Sequence, residues 1–209
     1  MEIGDNISYK YCPKTKKELK QLLKKLLDER GPDADLNDID VSNITNMSDL
    51  FEELDPHNID ISLWDVSNVT DMDSMFYNCE NFDCNLSNWD VSKVTSMIAM
   101  FDTCEKFNGI GLDKWNTESV TNMKAMFMNC FSFNCNLGNW DVRNVKTTES
   151  MFENCKQFLG EGLENWKTKK LKNTSYMFAG CLSFRGIGLD KWDPAKILKL
   201  QHINKIKRL

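Results

Sequence analysis

Two series of side chains in this sequence have types and spacings that could do chemistry. Cys79, Cys104, Cys130, Cys155 and Cys181 recur every 25 or 26 residues, and so do Asp40, Asp65, Asp90, Asn116 and Asp141. Thiols stacked one repeat apart could close into disulfides, because Cα separations near about 5 Å permit the bond. Turned inward, the same thiols are small apolar groups that can hydrogen-bond a backbone carbonyl. Carboxylates stacked at about 4.8 Å repel one another by about 1 kcal/mol per pair in water. Such a column could offer a surface to cationic side chains or Ca²⁺, or could cap backbone amides at tight corners.

Other chemistries lack their parts. The three remaining cysteines are Cys12, Cys84 and Cys135, the only histidines are His57 and His202, and no CxxC-type spacing is present. No metal site and no cofactor are therefore expected. No nucleophile elbow, phosphate-binding Walker loop or His–Cys pairing occurs, so the chain is expected not to be an enzyme.

The elements that must position these series are short repeats. Trp64, Trp89, Trp115, Trp140, Trp166 and Trp192 mark the frame. Phe76, Phe101, Phe127, Phe152 and Phe178 lie twelve residues after the first five, the cysteines fifteen after, and Phe82, Phe107, Phe133, Phe158 and Phe184 eighteen after. An earlier unit keeps the frame with Leu36, Ile39, Val41, Ile44, Met47, Leu50 and Phe51. One unit reads L-x-x-W-x-V-x-x-V-x-x-M-x-x-M-F-x-x-C-x-x-F, with about nine apolar anchors. That is too few to bury a core within one unit, so neighbouring units must stack, anchor over anchor.

The spacing predicts an α/β solenoid of about seven repeats with short parallel strands, capped by an N-terminal α-helix. L-x-x-W-x-V is the expected strand, with Trp and Val inward, and M-x-x-M-F-x-x-C the expected helical turn. Units of 26 residues carry Gly-x-Gly (FNGIGLDKW, FLGEGLENW, FRGIGLDKW), which suits a bulged turn with positive φ. Three regions are expected: an N-terminal helical cap over 1–35, the repeats over 36–193, and a basic C-terminal cover over 194–209. In the cap, Thr15 and Glu18 form a capping box, Leu19, Leu22, Leu23, Leu26 and Leu27 form a stripe, and Gly31 stops the helix.

The composition, 41% apolar and 27% charged, is that of a globular protein. No apolar run is long enough for a membrane span, and the opening MEIGDNISYKYCPK lacks a secretory pattern, so by sequence the chain is expected to be cytoplasmic. Charge is uneven: residues 32–100 carry a net charge of −14 and residues 166–209 one of +9. An acidic front and a basic rear suggest salt-sensitive head-to-tail self-association. Nucleic acid is not an expected partner, given the overall acidity and the lack of aromatics interleaved on the basic part.

VSNVTDMDSMF, then YNCENF and LSNWDVS, resembles the repeats of bacterial BspA-like leucine-rich-repeat surface proteins, most closely the mycoplasma surface-lipoprotein type containing a domain of unknown function. The resemblance covers about residues 36–193. It implies a right-handed leucine-rich-repeat-like coil, no enzymatic activity, adhesion or protein binding, and a place at the cell surface or outside the cell. Surface members carry export or anchoring signals that this sequence does not show.

A repeat protein of this kind is expected to bind a protein partner on one regular face. The candidate residues follow the tryptophans by one or three positions: Asp65, Asp90, Asn116 and Asp141, then Ser67, Ser92, Glu118, Arg143 and Lys169. The alternative is a structural spacer or self-associating element with no dedicated ligand. Variation along the second column, from Ser to Glu, Arg and Lys, favours recognition.

Overall fold

The computed structural model describes residues 9–197 and Leu200. Each unit is a chain of tight turns. Its anchors are spaced by three because each pair of intervening residues forms the middle of a β-turn, closed by an N–H to C=O bond between anchors. Within one unit these bonds run from Trp64 to Ile61 (3.1 Å), Val69 to Val66 (2.9 Å), Met75 to Met72 (3.3 Å), Cys79 to Phe76 (3.1 Å) and Phe82 to Cys79 (3.1 Å). Corners are fixed by short polar side chains that accept the N–H two residues on. Asn85 takes that of Ser87, Asp90 that of Ser92 and Asp71 that of Asp73, each at 3.0 Å.

The expected right-handed, leucine-rich-repeat-like α/β solenoid with short parallel strands is overturned. The described chain is mostly irregular, and no sheet forms among the described residues. L-x-x-W-x-V makes no strand; Trp64 and Val66 do turn inward, but as anchors of successive turns. Parallel pairing shrinks to isolated single-residue bridges further along the unit, at Asn46–Asp71, Asp71–Ser96, Ser96–Asn122, Asn122–Thr147 and Thr147–Asn173.

The expected helical turn at M-x-x-M-F-x-x-C is also absent, and this segment instead joins the units. Met72, Ser74, Phe76 and Asn78 donate their N–H groups to Ser96, Ile98, Met100 and Asp102 of the next unit at 2.7–3.2 Å. The alternate N–H groups, of Met75, Tyr77 and Cys79, close turns inside the unit. This division requires a backbone that reverses hand: φ is 54° at Ser74 and 60° at Asn78, and the same places recur as Ala99 and Thr103, Ala125 and Asn129, and Ser150 and Asn154. Left-handed backbone costs a non-glycine residue about 1–2 kcal/mol, which the paired N–H groups offset.

Stacking the units puts like on like. Phe76, Phe101, Phe127 and Phe152 are fully buried and follow one another at ring separations of 5.4, 5.6 and 5.7 Å. The second phenylalanine of each unit lies against the first, as Phe133 does against Phe127 at 4.1 Å. Each tryptophan also ties its unit to the one before: Trp140 Nε1 donates to the Leu112 carbonyl at 2.7 Å and Trp115 Nε1 to that of Leu86 at 3.1 Å.

The longer units absorb their extra residue at Gly-x-Gly. Gly109 and Gly111 have φ of 88° and 91°, and a Cβ on Gly111 would lie 2.7 Å from the Ser87 Cα of the unit before. A 3₁₀ turn, Leu112–Lys114, then leads into Trp115.

The N-terminal helix α1, Lys16–Arg30, starts at Thr15, whose Oγ1 accepts the Glu18 N–H at 3.2 Å, and stops at Gly31, φ 88°. Leu19, Leu23 and Leu26 are fully buried in the common core. In the second unit, the carbonyl of Asp73 accepts an N–H from Asp49 of the unit before it. At Ser48, the corresponding place in the first unit, α1 supplies the donor: Lys16 Nζ reaches the Ser48 carbonyl at 3.1 Å and its Oγ at 2.7 Å. Of the basic cover over 194–209, a short helix α2, Pro194–Ile197, and Leu200 are described. The rest of that cover, His202 and residues 1–8 lie outside the described residues.

Candidate functional site

The residues one, three and four places after each tryptophan form an outward strip running along the stack. Its backbone is held alike in the units of Trp64, Trp89, Trp115 and Trp140, and in that of Trp166 it forms a 3₁₀ turn, Thr168–Lys170, with no side-chain cap. The Oδ1 of Asp65, Asp90, Asn116 and Asp141 accepts the N–H of Ser67, Ser92, Glu118 and Arg143 at 3.0–3.1 Å. The capping role weighed from the sequence is thus what these side chains do. Between units the fourth position bonds backwards: Asn68 Nδ2 to the Ser42 carbonyl at 3.0 Å, and Asn144 Nδ2 to that of Glu118 at 2.9 Å. Hydrogen bonds from Ser92 hold the Asp90 carboxyl below its ordinary range, and the Arg143 guanidinium does the same for Asp141.

The structure brings three of the sequence-predicted residues, Glu118, Arg143 and Lys169, to the wall of one open hollow of about 390 Å³, with Asn144, Lys167 and Lys170 completing it. Arg143 Nη2 meets Asp141 Oδ2 at 2.5 Å and Glu118 Oε1 at 3.7 Å. Lys170 Nζ is held by Asn144 Oδ1 at 2.8 Å. Lys167 and Lys169 are exposed and form no ion pair among the described residues. Asp65, Ser67, Asp90 and Ser92 lie on the same strip but in the units nearer the N-terminus, outside the hollow; Asn116 caps the turn that carries Glu118.

Asn144, Lys167 and Lys170 were not singled out as site residues from the sequence. The run KTKK at 167–170 and the recurring Asn four places after Trp64 and Trp140 were the available signals. The run reads only as one charged segment until the stack sets it beside Arg143.

The thiol column does different work. Cys104, Cys130 and Cys155 are fully buried and donate Sγ–H to the carbonyls of Phe76, Phe101 and Phe127 in the preceding unit at 2.9–3.0 Å. Burial pushes their pKa values well above the ordinary thiol range, so they are held as neutral donors and are poor nucleophiles. Cys84 and Cys135, off the main column, are raised to about 11 by the same cause.

A protein of tandem 25- and 26-residue units, joined through backbone hydrogen bonds and shared aromatic columns, is the class that fold and strip define. The family model described as "Mycoplasma protein of unknown function, DUF285" matches the chain twice in tandem, over residues 18–111 and 108–206, and the chain belongs to that family. No curated protein matches it, and no solved structure does. No helix among the described residues is long and apolar enough to cross a membrane.

Proposed function

We propose that the chain is a non-enzymatic scaffold that binds a protein partner on the outward strip, centred on the hollow of Arg143, Lys167 and Lys169. One observation carries this reading: four successive units hold the backbone of the strip with the same side-chain cap and the next continues it as a 3₁₀ turn, while the side chains run from Asp and Ser through Glu to Arg and Lys. A constant frame with changing side chains is how repeat proteins build recognition surfaces. The buried, hydrogen-bonded thiols of Cys104, Cys130 and Cys155 support the non-enzymatic part, since these nucleophiles are occupied with packing. The adhesive role implied by the likeness to BspA-like surface proteins is a form of the same activity.

The test is affinity capture from cell lysate and from extracellular-matrix extract, with wild type beside the combined variant Glu118→Ser, Arg143→Ser, Lys169→Ser. A partner held by wild type and lost by the variant is the expected result. Equal retention by both proteins, or no enrichment from either source, overturns the reading in favour of a structural spacer, a role to which the unbroken column of stacked rings is also suited.

A further inference from the structure

The strip changes sign along its length: Asp40, Asp65 and Asp90 lie towards one end, with Lys93 beside Asp90, and Lys167, Lys169 and Lys170 lie towards the other, with Asp193 beyond them. Asp65 and Asp90, towards the N-terminal end, have their Oδ1 atoms on backbone N–H groups and make no ion pair among the described residues. Lys167 and Lys169, towards the other end, likewise make none. Between them Arg143 is neutralised by Asp141 and Glu118. An acidic partner laid along the strip would suit Lys167 and Lys169 but be repelled by the front, where residues 32–100 carry a net charge of −14. A basic partner meets the reverse problem. What fits is a surface carrying both signs, in opposite order and at the same spacing.

We propose that this surface is the strip of a second copy, and that two chains pair face to face and antiparallel about a two-fold axis near the Asn116–Glu118 unit. The arrangement rests on reading the strip as a protein-binding face. It sets Asp65 in each copy against Lys167 and Lys169 in the other, so each ion pair formed is formed twice, while Glu118, which meets its counterpart at the axis, is answered by Arg143 of its own chain. The contact is closed and stops at two chains.

End-to-end association is disfavoured by charge. The N-terminal end is covered by α1, whose Lys17, Lys24 and Lys25 are exposed, and they would face the basic rear of the next copy. A strip about 30 Å long and about 15 Å wide, from units about 4.8 Å apart, buries about 1,000 Å² in total on pairing, the low end for a specific contact. The dimer is therefore weak and salt-sensitive.

Sedimentation equilibrium of the full chain at low salt tests this. Wild type is expected as a dimer whose dissociation constant rises about tenfold or more between about 0.02 M and about 0.5 M salt. A rear-reversed variant, Lys167→Asp with Lys169→Glu, introduces at that place the capping residue that other units have. A front-reversed variant, Asp65→Asn and Asp90→Asn with Ser67→Lys and Ser92→Lys, keeps a capping side chain as Asn116 does.

Each variant alone is expected to be a monomer with a thermal midpoint near that of wild type. An equimolar mixture of the two is expected to restore the dimer, because one copy then offers two basic ends and the other two acidic ends. Monomeric wild type at low salt and high concentration, a mixture that stays monomeric, or mass that grows beyond two chains would each overturn the pairing. If wild type is monomeric yet captures another protein through the strip, the pairing fails while the binding face stands.

Discussion

The inner columns and the outer strip share one backbone frame and differ in how they use it. Inside, the phenylalanine and cysteine columns repeat from unit to unit because each ring or thiol must meet its own counterpart one unit away. Phe101, Phe127 and Phe152 stack with ring planes 5° and 9° from parallel, and a residue of another shape there would leave a void on both sides. Outside, successive units carry Ser67, Ser92, Glu118 and Arg143 at one position on the same turn, because the cap comes from the residue two before, and Lys169 takes that position on a 3₁₀ turn. Shape is thus fixed by the inside, and the outside can change chemistry unit by unit.

The strongest way to break this contrast is to truncate an inner residue in a central unit. Phe127 has 0% exposure and lies 5.6 Å from Phe101, 4.1 Å from Phe133 and 5.7 Å from Phe152. Phe127→Ala is expected to cost about 3–5 kcal/mol, read as a fall in the denaturant midpoint. A loss under about 1 kcal/mol would mean that the column does not set the shape.

The inside was also the more legible region in the sequence. Trp64, Phe76, Cys79 and Phe82 were assigned to the interior from their fixed period, and all four are buried. The thiol column was correctly given a buried, carbonyl-bonded alternative. What periodicity missed was the backbone. Anchors three and four apart are the spacing of an amphipathic helix, and W-x-V alternates as a strand does. Consecutive β-turns closed between anchors also give a spacing of three, and only the left-handed residues distinguish them. One of the two such places in each unit is filled by Ser74, Ala99, Ala125 and Ser150, none of which announces positive φ as Gly111 does; only the other, with Asn78, Asn129 and Asn154, carries a residue type that favours it. On the strip, the sequence pointed to Glu118, Arg143 and Lys169 as a varying column, but the contribution of Lys167, Lys170 and Asn144 depended on which units lie side by side.

Asp102 tests the boundary between the two regions. It is only 5% exposed, and its Oδ1 accepts from Thr103 Oγ1 at 3.0 Å and Asn129 Nδ2 at 3.3 Å. Burial raises its pKa above 3.8, so the folded chain holds this proton more tightly than the unfolded chain does. The stability contributed by that proton is fully present below the ordinary value and is lost as pH rises through the raised folded value. An amide oxygen can accept the same two hydrogen bonds without a buried charge. Asp102→Asn is therefore expected to stabilise the protein by on the order of 1 kcal/mol at neutral pH, with the advantage shrinking as pH falls through the raised folded value and gone below the ordinary 3.8. Urea melts of the two proteins across that pH range give the difference directly. A variant that is less stable at neutral pH would show that the charge is needed where it lies.

The smallest effect is expected on the strip, and it sharpens the contrast from the other side. Glu118, Arg143 and Lys169 are exposed; the turns of the first two are capped by Asn116 and Asp141, and that of Lys169 is closed by the Leu171 N–H on the Thr168 carbonyl, so none depends on the three side chains themselves. Changing all three to Ser removes the Arg143 ion pairs with Asp141 and Glu118, which are exposed to solvent and screened. The combined variant is expected to melt within about 0.5 kcal/mol of wild type. A loss of 2 kcal/mol or more, about the scale of a buried hydrogen bond left unpaired, would mean that these side chains help to hold the stack, and the division into a shape-giving inside and a chemically free outside would not survive it.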